Sequence, residues 1–261
     1  MSSVDTLPLA GTTVIVTRPS ASAPAQARIA RRLGAQVVRL PGVGLRTVDD
    51  VQRAHAALAA AAAADAWIFT SPAAVRHAFV VSPGLRPSPA TQVFAVGAGT
   101  RRALGRHAIT ARSPARGHDA ESLLGMPELA TPSGWSVALI DAPGGRDLIA
   151  PALEARGARV DRIHVYRRTA PRLGRRHLAA LAAATPPWLT LLSSGEALEH
   201  LVRLVPPASL ERWRSQLLIV SSARLAELAA RHGFGDVRIA RSALSHDLFE
   251  AAGDAIRRHR L

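Results

Sequence analysis

The chain repeats itself at long range. Residues 11–46 align with residues 134–169 at an offset of 123, so that Gly11 falls on Gly134, Gly34 on Gly157 and Val37 on Val160. The same offset carries Thr70-Ser71-Pro72 onto Ser193-Ser194-Gly195. Beyond that it drifts, to 124 where Ala95-Val96-Gly97 meets Ile219-Val220-Ser221 and to 129 where Ala111-Arg112-Ser113 meets Ala240-Arg241-Ser242. Drift of this size, taken up between segments, is what loop insertions in two copies of one fold produce. A period this long predicts two similar lobes rather than a solenoid of short units. Two lobes imply a cleft, and clefts between domains are favoured ligand sites.

A length of 261 residues accommodates two domains, each with its own core. The formal charge is +14, from 33 basic and 19 acidic residues, and every basic residue is arginine. Arginine in place of lysine, beside abundant alanine, is also what a genome composition bias gives, so the charge alone names no partner. Single-strand nucleic-acid binders interleave bases with aromatic platforms. Aromatics here are 4% and the arginines are scattered without a basic tail, which argues against nucleic acid. A small polyanion held by arginine forks suits the pattern at least as well. No cysteine is present, which excludes disulfides and thiolate chemistry. The start, MSSVDTLPLAGTT, has no basic flank followed by an apolar core, and the longest apolar run, Ala56–Ala64, is far shorter than a membrane span. A soluble, cytoplasmic protein without a membrane partner is expected.

Short β-branched runs alternate with amphipathic, alanine-rich stretches. Strands are predicted at 13–17, 36–40, 66–70, 92–96 and 108–111 in the first copy, and at 136–140, 159–165, 189–192, 217–220 and 237–240 in the second. Helical patterns fill the gaps. Such alternation argues for parallel sheets with helices on both faces, each copy reading as one doubly wound α/β unit. Gly34 and Gly157, each after a helix and before a strand, are expected left-handed helix stops. The stretches 41–46 and 167–174 read as crossings between lobes.

Polar groups collect where strands run into helices. Thr70-Ser71-Pro72 and Ser193-Ser194-Gly195 form one matched pair of junctions, and Gly97-Ala98-Gly99-Thr100 and Ser221-Ser222-Ala223 a second. In a parallel sheet these lie at the carboxyl ends of the strands, where ligands bind. A helix start offers free N–H groups and a positive dipole to an anion, although helices need caps whatever their function. Gly97-x-Gly99 lacks the third glycine of a dinucleotide fingerprint, and there is no Walker loop, nucleophile elbow or zinc-protease motif. No cofactor and no metal are expected. His77, His107, His177, His232 and His259, each flanked by arginine or at a helix end, are taken as solvated. The pairs His118-Asp119 and His246-Asp247 lack further ligands in sequence. Tyr166, the only tyrosine, ends a strand beside a crossing. It is either an aromatic packed under a linker or a phenol able to donate a proton or hydrogen bond.

Taken together, Val16-Thr17-Arg18-Pro19, Phe69-Thr70-Ser71-Pro72, Val96-Gly97-Ala98-Gly99-Thr100, Gly144-Gly145-Arg146, Val165-Tyr166-Arg167-Arg168, Leu192-Ser193-Ser194 and Val220-Ser221-Ser222 resemble the uroporphyrinogen-III synthase family in order and spacing over nearly the whole chain. The resemblance implies two similar doubly wound domains joined by a two-stranded linker, with a cleft between them. Domain 1 would comprise residues 1–42 plus 171–261, and domain 2 residues 43–170. It implies a monomer acting on hydroxymethylbilane, a linear tetrapyrrole with eight carboxylates, closed with loss of water and inversion of the last ring, without metal or cofactor. Tyr166 corresponds to a tyrosine suspected of assisting loss of the hydroxyl. Ser71, Gly97, Thr100, Ser193, Ser194, Ser221 and Ser222 correspond to junctions that bind substrate carboxylates, and Arg18 and Arg146 to basic positions nearby. Many relatives have Arg-Gly where this chain has Asp141-Ala142. A rival reading is a non-catalytic two-lobe binder of a small polycarboxylate, which would release its ligand unchanged.

Overall fold

The fold was obtained as a computed structural model that describes residues 7–117, 119–144 and 147–259. It divides into two units, Met1–Gly44 with Thr169–Leu261, and Leu45–Arg168. The chain begins with β1 (Thr13–Val16), α1 (Ala23–Arg32) and β2 (Gln36–Arg39), and leaves through β3 (Gly44–Thr47). The second unit contains α2 (Val51–Ala60), β4 (Ala66–Phe69), α3 (Pro72–Val81), β5 (Gln92–Ala95), α4 (Ala98–Gly105), α5 (Ala120–Leu124), β6 (Ser136–Asp141), α6 (Ile149–Ala155) and β7 (Arg159–His164). From β8 (Tyr166–Thr169) the chain returns through α7 (Arg175–Ala182), β9 (Trp188–Leu192), α8 (Gly195–Leu204), α9 (Pro207–Arg214), β10 (Leu217–Val220), α10 (Ala223–Arg231), β11 (Val237–Ile239) and α11 (Ser245–His259).

The first unit has a parallel sheet in the order β11-β10-β9-β1-β2, and the second a parallel sheet in the order β5-β4-β6-β7. Strands buried on both faces need continuous apolar runs, and β1, β4, β9 and β10 supply them, every residue buried. In the second unit Trp67 and Phe69 point into one core with Val75 and Leu104, whereas Ala66 and Ile68 point into the other with Leu139 and Leu153. That alternation places helices on both faces. In the first unit Val14, Leu189 and Ile219 pack with Ala30, Leu248 and Ala252 of α1 and α11. The buried Thr190 hydroxyl accepts a hydrogen bond from Trp213 Nε1 at 2.7 Å, so this polar group inside a strand is satisfied. Gly34 and Gly157 take φ of 91° and 86° and stop α1 and α6 in the left-handed conformation, as their places in the repeat require.

The expectation that each copy forms its own unit is corrected. Each unit takes a βαβ piece from one copy and the remaining strands from the other. The two pieces are equivalent in register: Thr13 lies opposite Gln36 as Ser136 lies opposite Arg159, and Val14 opposite Leu189 as Val137 lies opposite Ala66. The sheets also correct the drift of the repeat. Ile219 faces Leu191 as Phe94 faces Ile68, so Gly97 corresponds to Ser222 rather than to Ser221. The predicted strand at 108–111 is reduced to a single bridge between Arg112 and Phe94. Ala108 holds a φ of 57° in ending α4, so the chain straightens only afterwards. The crossing segments contain β3 and β8, which form a separate two-stranded sheet.

One close approach in the first unit makes a direct test of packing. A Cβ on Gly42 would lie 2.4 Å from Ala197 Cβ and 2.8 Å from its Cα, on α8. Gly42→Ala should therefore push the helix off its seat and destabilise the protein by about 1–3 kcal/mol. Gly84→Ala, which meets nothing within 4 Å, should leave the thermal midpoint within a degree or so of wild type. Equal midpoints for the two variants in thermal unfolding would refute the contact.

Candidate functional site

In each sheet the chain winds away in opposite directions from a central strand pair, β9 and β1 in the first unit and β4 and β6 in the second. The loops leaving such a pair diverge to opposite faces, and the crevice they leave beyond the carboxyl ends is where doubly wound sheets bind ligands. Ser194 and Arg18 follow β9 and β1, and Ser71 and Asp141 stand at the same ends of β4 and β6.

Three of the four junction helices are capped by the serine in the matching place. Ser71 Oγ accepts from Ala74 N at 3.0 Å, Ser194 Oγ from Ala197 N at 3.3 Å and Ser222 Oγ from Leu225 N at 3.4 Å. Gly97 caps α4 without a side chain, so no side-chain oxygen takes up the first N–H groups of that helix, while Thr100 N donates to the Gly97 carbonyl at 3.0 Å. Thr100 is buried in the first turn of α4. A Cβ on Gly99 would meet Pro72 Cγ at 3.7 Å, which places the starts of α3 and α4 side by side. Ser193 and Ser221 immediately precede the caps Ser194 and Ser222.

Tyr166 joins this edge of the second unit. Its hydroxyl lies 3.2 Å from Ser71 Oγ, and its ring stacks on His77 with centroids 5.3 Å apart and planes at 19°. His77 Nδ1 is 3.0 Å from Thr47 Oγ1. A capping serine, the tyrosine, a histidine and a threonine thus form a continuous polar thread through an otherwise apolar core. The expectation that His77 is solvated is corrected: it is buried, because α3 turns that face toward the sheet. Burial, aided by the Arg76 charge, holds its pKa below the usual histidine value. His107 likewise stacks on Phe79, 3.6 Å between centroids.

A second polar pair stands at the ends of β6 and β7. Asp141 and His164 are opposite in register, and Asp141 Oδ1 lies 2.6 Å from His164 Nδ1. Arg162 forks onto Asp147 at 2.5 and 2.9 Å and comes within 4.0 Å of Asp141. These four residues line a cavity of about 320 Å³. Burial raises the Asp141 pKa, with His164 and Arg162 acting against that shift. Composition and motif give no sign of this pair; only the register of β6 against β7 brings the two residues together.

In the first unit Arg18 donates from Nη2 to the Ala243 carbonyl at 2.5 Å, while its Nε is buried without an acceptor among the described residues. Burial lowers its pKa. Arg146 and His118 lie outside the described residues. No described helix is long and apolar enough to cross a membrane.

Comparison with known proteins places this geometry. Residues 25–250 match the family model of uroporphyrinogen-III synthase HemD. The chain is 30% identical over 245 residues to the uroporphyrinogen-III synthase of Salmonella typhimurium, covering 91% of this chain and 98% of that one. It is 34% identical over 163 residues to the enzyme of that name from Escherichia coli, covering 60% of this chain and 65% of that one. Its fold is similar to the crystal structure of uroporphyrinogen-III synthetase from Helicobacter pylori, with a TM-score of 0.58, 14% identity and coverage of 94% and 99%.

The buried His77 makes stability depend on pH in a stated direction. Its folded pKa lies below that of the unfolded chain, so protonation favours unfolding. Stability should fall as the pH drops below about 6.5, where an unfolded histidine takes up its proton. The fall in thermal midpoint between pH 7.5 and 5.5 should be shallower in His77→Phe than in wild type. Parallel curves would remove His77 from the titrating set.

Proposed function

Since the chain belongs to the uroporphyrinogen-III synthase family, we propose that it closes linear hydroxymethylbilane into uroporphyrinogen III, with loss of water and inversion of the last pyrrole ring. The match over residues 25–250 is the observation that carries this reading. The bond that breaks joins the hydroxyl to the methylene carbon. An electron-rich pyrrole drives that step by pushing its nitrogen electron pair toward the carbon, and the leaving oxygen must gain a proton to depart as water. For the last ring to be inverted, the methylene carbon bonds to the substituted α-carbon of that ring, the bond from that α-carbon to its original methylene breaks, and the freed methylene bonds to the ring's unsubstituted α-carbon, which releases a proton.

Little of this asks for a strong acid or base. The protein's task is to hold a flexible polyanion in the geometry that leads to the inverted ring, and positioning can supply a large share of a barrier. The helix starts capped by Ser71, Ser194 and Ser222, the side-chain-free start at Gly97 with Thr100 behind it, and the adjoining Ser193 and Ser221 are assigned to substrate carboxylates. N–H groups and dipole together favour an anion there. Arg18 and Arg146 are assigned to the same carboxylates as charged donors. Tyr166 is assigned to the leaving hydroxyl. Support for this comes from its orientation: the ring is held on His77 and the phenol oxygen lies 3.2 Å from Ser71 Oγ, and with Ser71 as the donor of that pair the Tyr166 O–H is left to donate to substrate. Exclusion of water would protect the azafulvene left once the hydroxyl departs. The proposal includes a cytoplasmic monomer that uses neither nucleic acid, membrane nor cofactor. The scattered arginines and low aromatic content support leaving nucleic acid out.

Purified protein given hydroxymethylbilane should yield the type III isomer, whereas omission leaves the type I isomer of spontaneous closure. Type I from both reactions would end the proposal. Tyr166→Phe should lower kcat by about tenfold to a hundredfold with the thermal midpoint retained, since Ser71 still caps α3. An unchanged kcat would make Tyr166 a packing residue only.

A further inference from the structure

The first unit gathers a group of cations that the junction helices do not use. A pocket of about 320 Å³ follows the edge strand β2, lined by Arg31 of α1, Arg39 of β2, Arg176 and His177 of α7, and Arg18 at its end. No carboxylate contributes to its lining. Among the described residues Arg31, Arg39 and Arg176 have no acidic partner, although Arg112, Arg162, Arg214, Arg241 and Arg257 each have one. The Arg18 Nε–H is buried without an acceptor. Clustered guanidinium groups repel one another even in water-like surroundings, and no hydrogen bond among the described residues requires Arg31, Arg39 or Arg176 to be there.

The duplication shows what is missing from this corner. Because β1 and β2 match β6 and β7 in register, Arg18 corresponds to Asp141, Arg39 to Arg162, and Pro24 to Asp147. In the second unit the arginine at this place is neutralised from within, by the fork of Arg162 on Asp147 and its approach to Asp141. In the first unit both of those carboxylates are replaced, one by an arginine and one by a proline. We propose that the β2-edge pocket of the first unit binds a small polycarboxylate, whose carboxylates stand to Arg39 as Asp147 stands to Arg162, with Arg18, Arg31 and Arg176 completing the cradle. The carboxylates are either the side chains of the cyclisation substrate, a source that rests on the function proposed above, or those of a free di- or tricarboxylate.

Titration calorimetry of the full chain with tricarballylate at low salt reads this site without turnover. Wild type should bind, and Arg39→Gln/Arg176→Gln should bind about tenfold or more weakly. Arg203→Gln/Arg231→Gln, an equal loss of charge from exposed helix positions of the same unit, should bind as wild type does. Absence of binding to wild type, equal affinity in the pocket variant, or equal loss in both variants would overturn the site. Thermal unfolding of both variants separates loss of binding from loss of fold. The source follows from the inhibition pattern in wild type: competitive if substrate carboxylates occupy the pocket, non-competitive if a free anion does. A protein that binds tricarballylate through Arg39 and Arg176 yet yields only the type I isomer would retain this site and lose the proposed function.

Discussion

The parallel pairing of one strand from each copy holds each unit together. β1 lies on β9 and β4 lies on β6, and the residues at these contacts, such as Val14, Leu189, Ile68 and Leu139, are fully or almost fully buried. Neither partner could be buried on both edges by its own copy, because the βαβ piece that contains β1 or β6 supplies only one neighbour. The same pairing determines where chemistry can occur. Winding outward in opposite directions from that pair, the chain sends helices to both faces and brings Ser71 and Asp141, or Ser194 and Arg18, to the carboxyl ends of adjacent strands. The duplicated sequence therefore yields duplicated edges, and the edges are free to diverge in charge once the sheet is secured.

That divergence is visible at one corner. In the second unit Asp141, Asp147, Arg162 and His164 form a cluster in which the arginine is paired from within the fold. In the first unit the corresponding positions leave Arg18 and Arg39 in a cationic pocket with Arg31 and Arg176. The reaction proposed for the family requires recognition of a flexible, multiply negative chain more than it requires acid–base power. In the proposed assignment, capped helix starts and arginines meet that requirement, and the Tyr166 phenol, beside Ser71 and stacked on His77, serves the step in which a hydroxyl departs. The scarcity of recognisable catalytic motifs in the sequence agrees with this division of labour.

Much of the fold was legible because its signals are local. Val14-Ile15-Val16 and Leu217-Leu218-Ile219-Val220 can be buried only as central strands, and Ser71-Pro72 or Gly34 mark helix ends through short-range chemistry. What escaped depends on long-range partners. Gly44–Thr47 and Tyr166–Thr169 are too polar to announce strands, and their order comes from pairing with each other. The repeat alone could not decide whether Ser221 or Ser222 matches Gly97; the ladder of β10 on β9 does. It was equally silent on which copy each strand would join. The serine caps of the candidate site were visible as cap residues, whereas Asp141 with His164, and His77 under Tyr166, needed the register of neighbouring strands and the facing of α3.

The interleaving of the copies is the claim on which the rest stands, and dividing the chain tests it. Residues 1–130 and 131–261, separated within the loop that precedes β6, each contain one complete copy. Expressed singly, neither half should show a cooperative thermal transition, because each lacks the central partner of its own strands; co-expressed, they should assemble into a one-to-one complex with wild-type far-UV circular dichroism. A half that folds alone as a cooperative monomer would contradict the account.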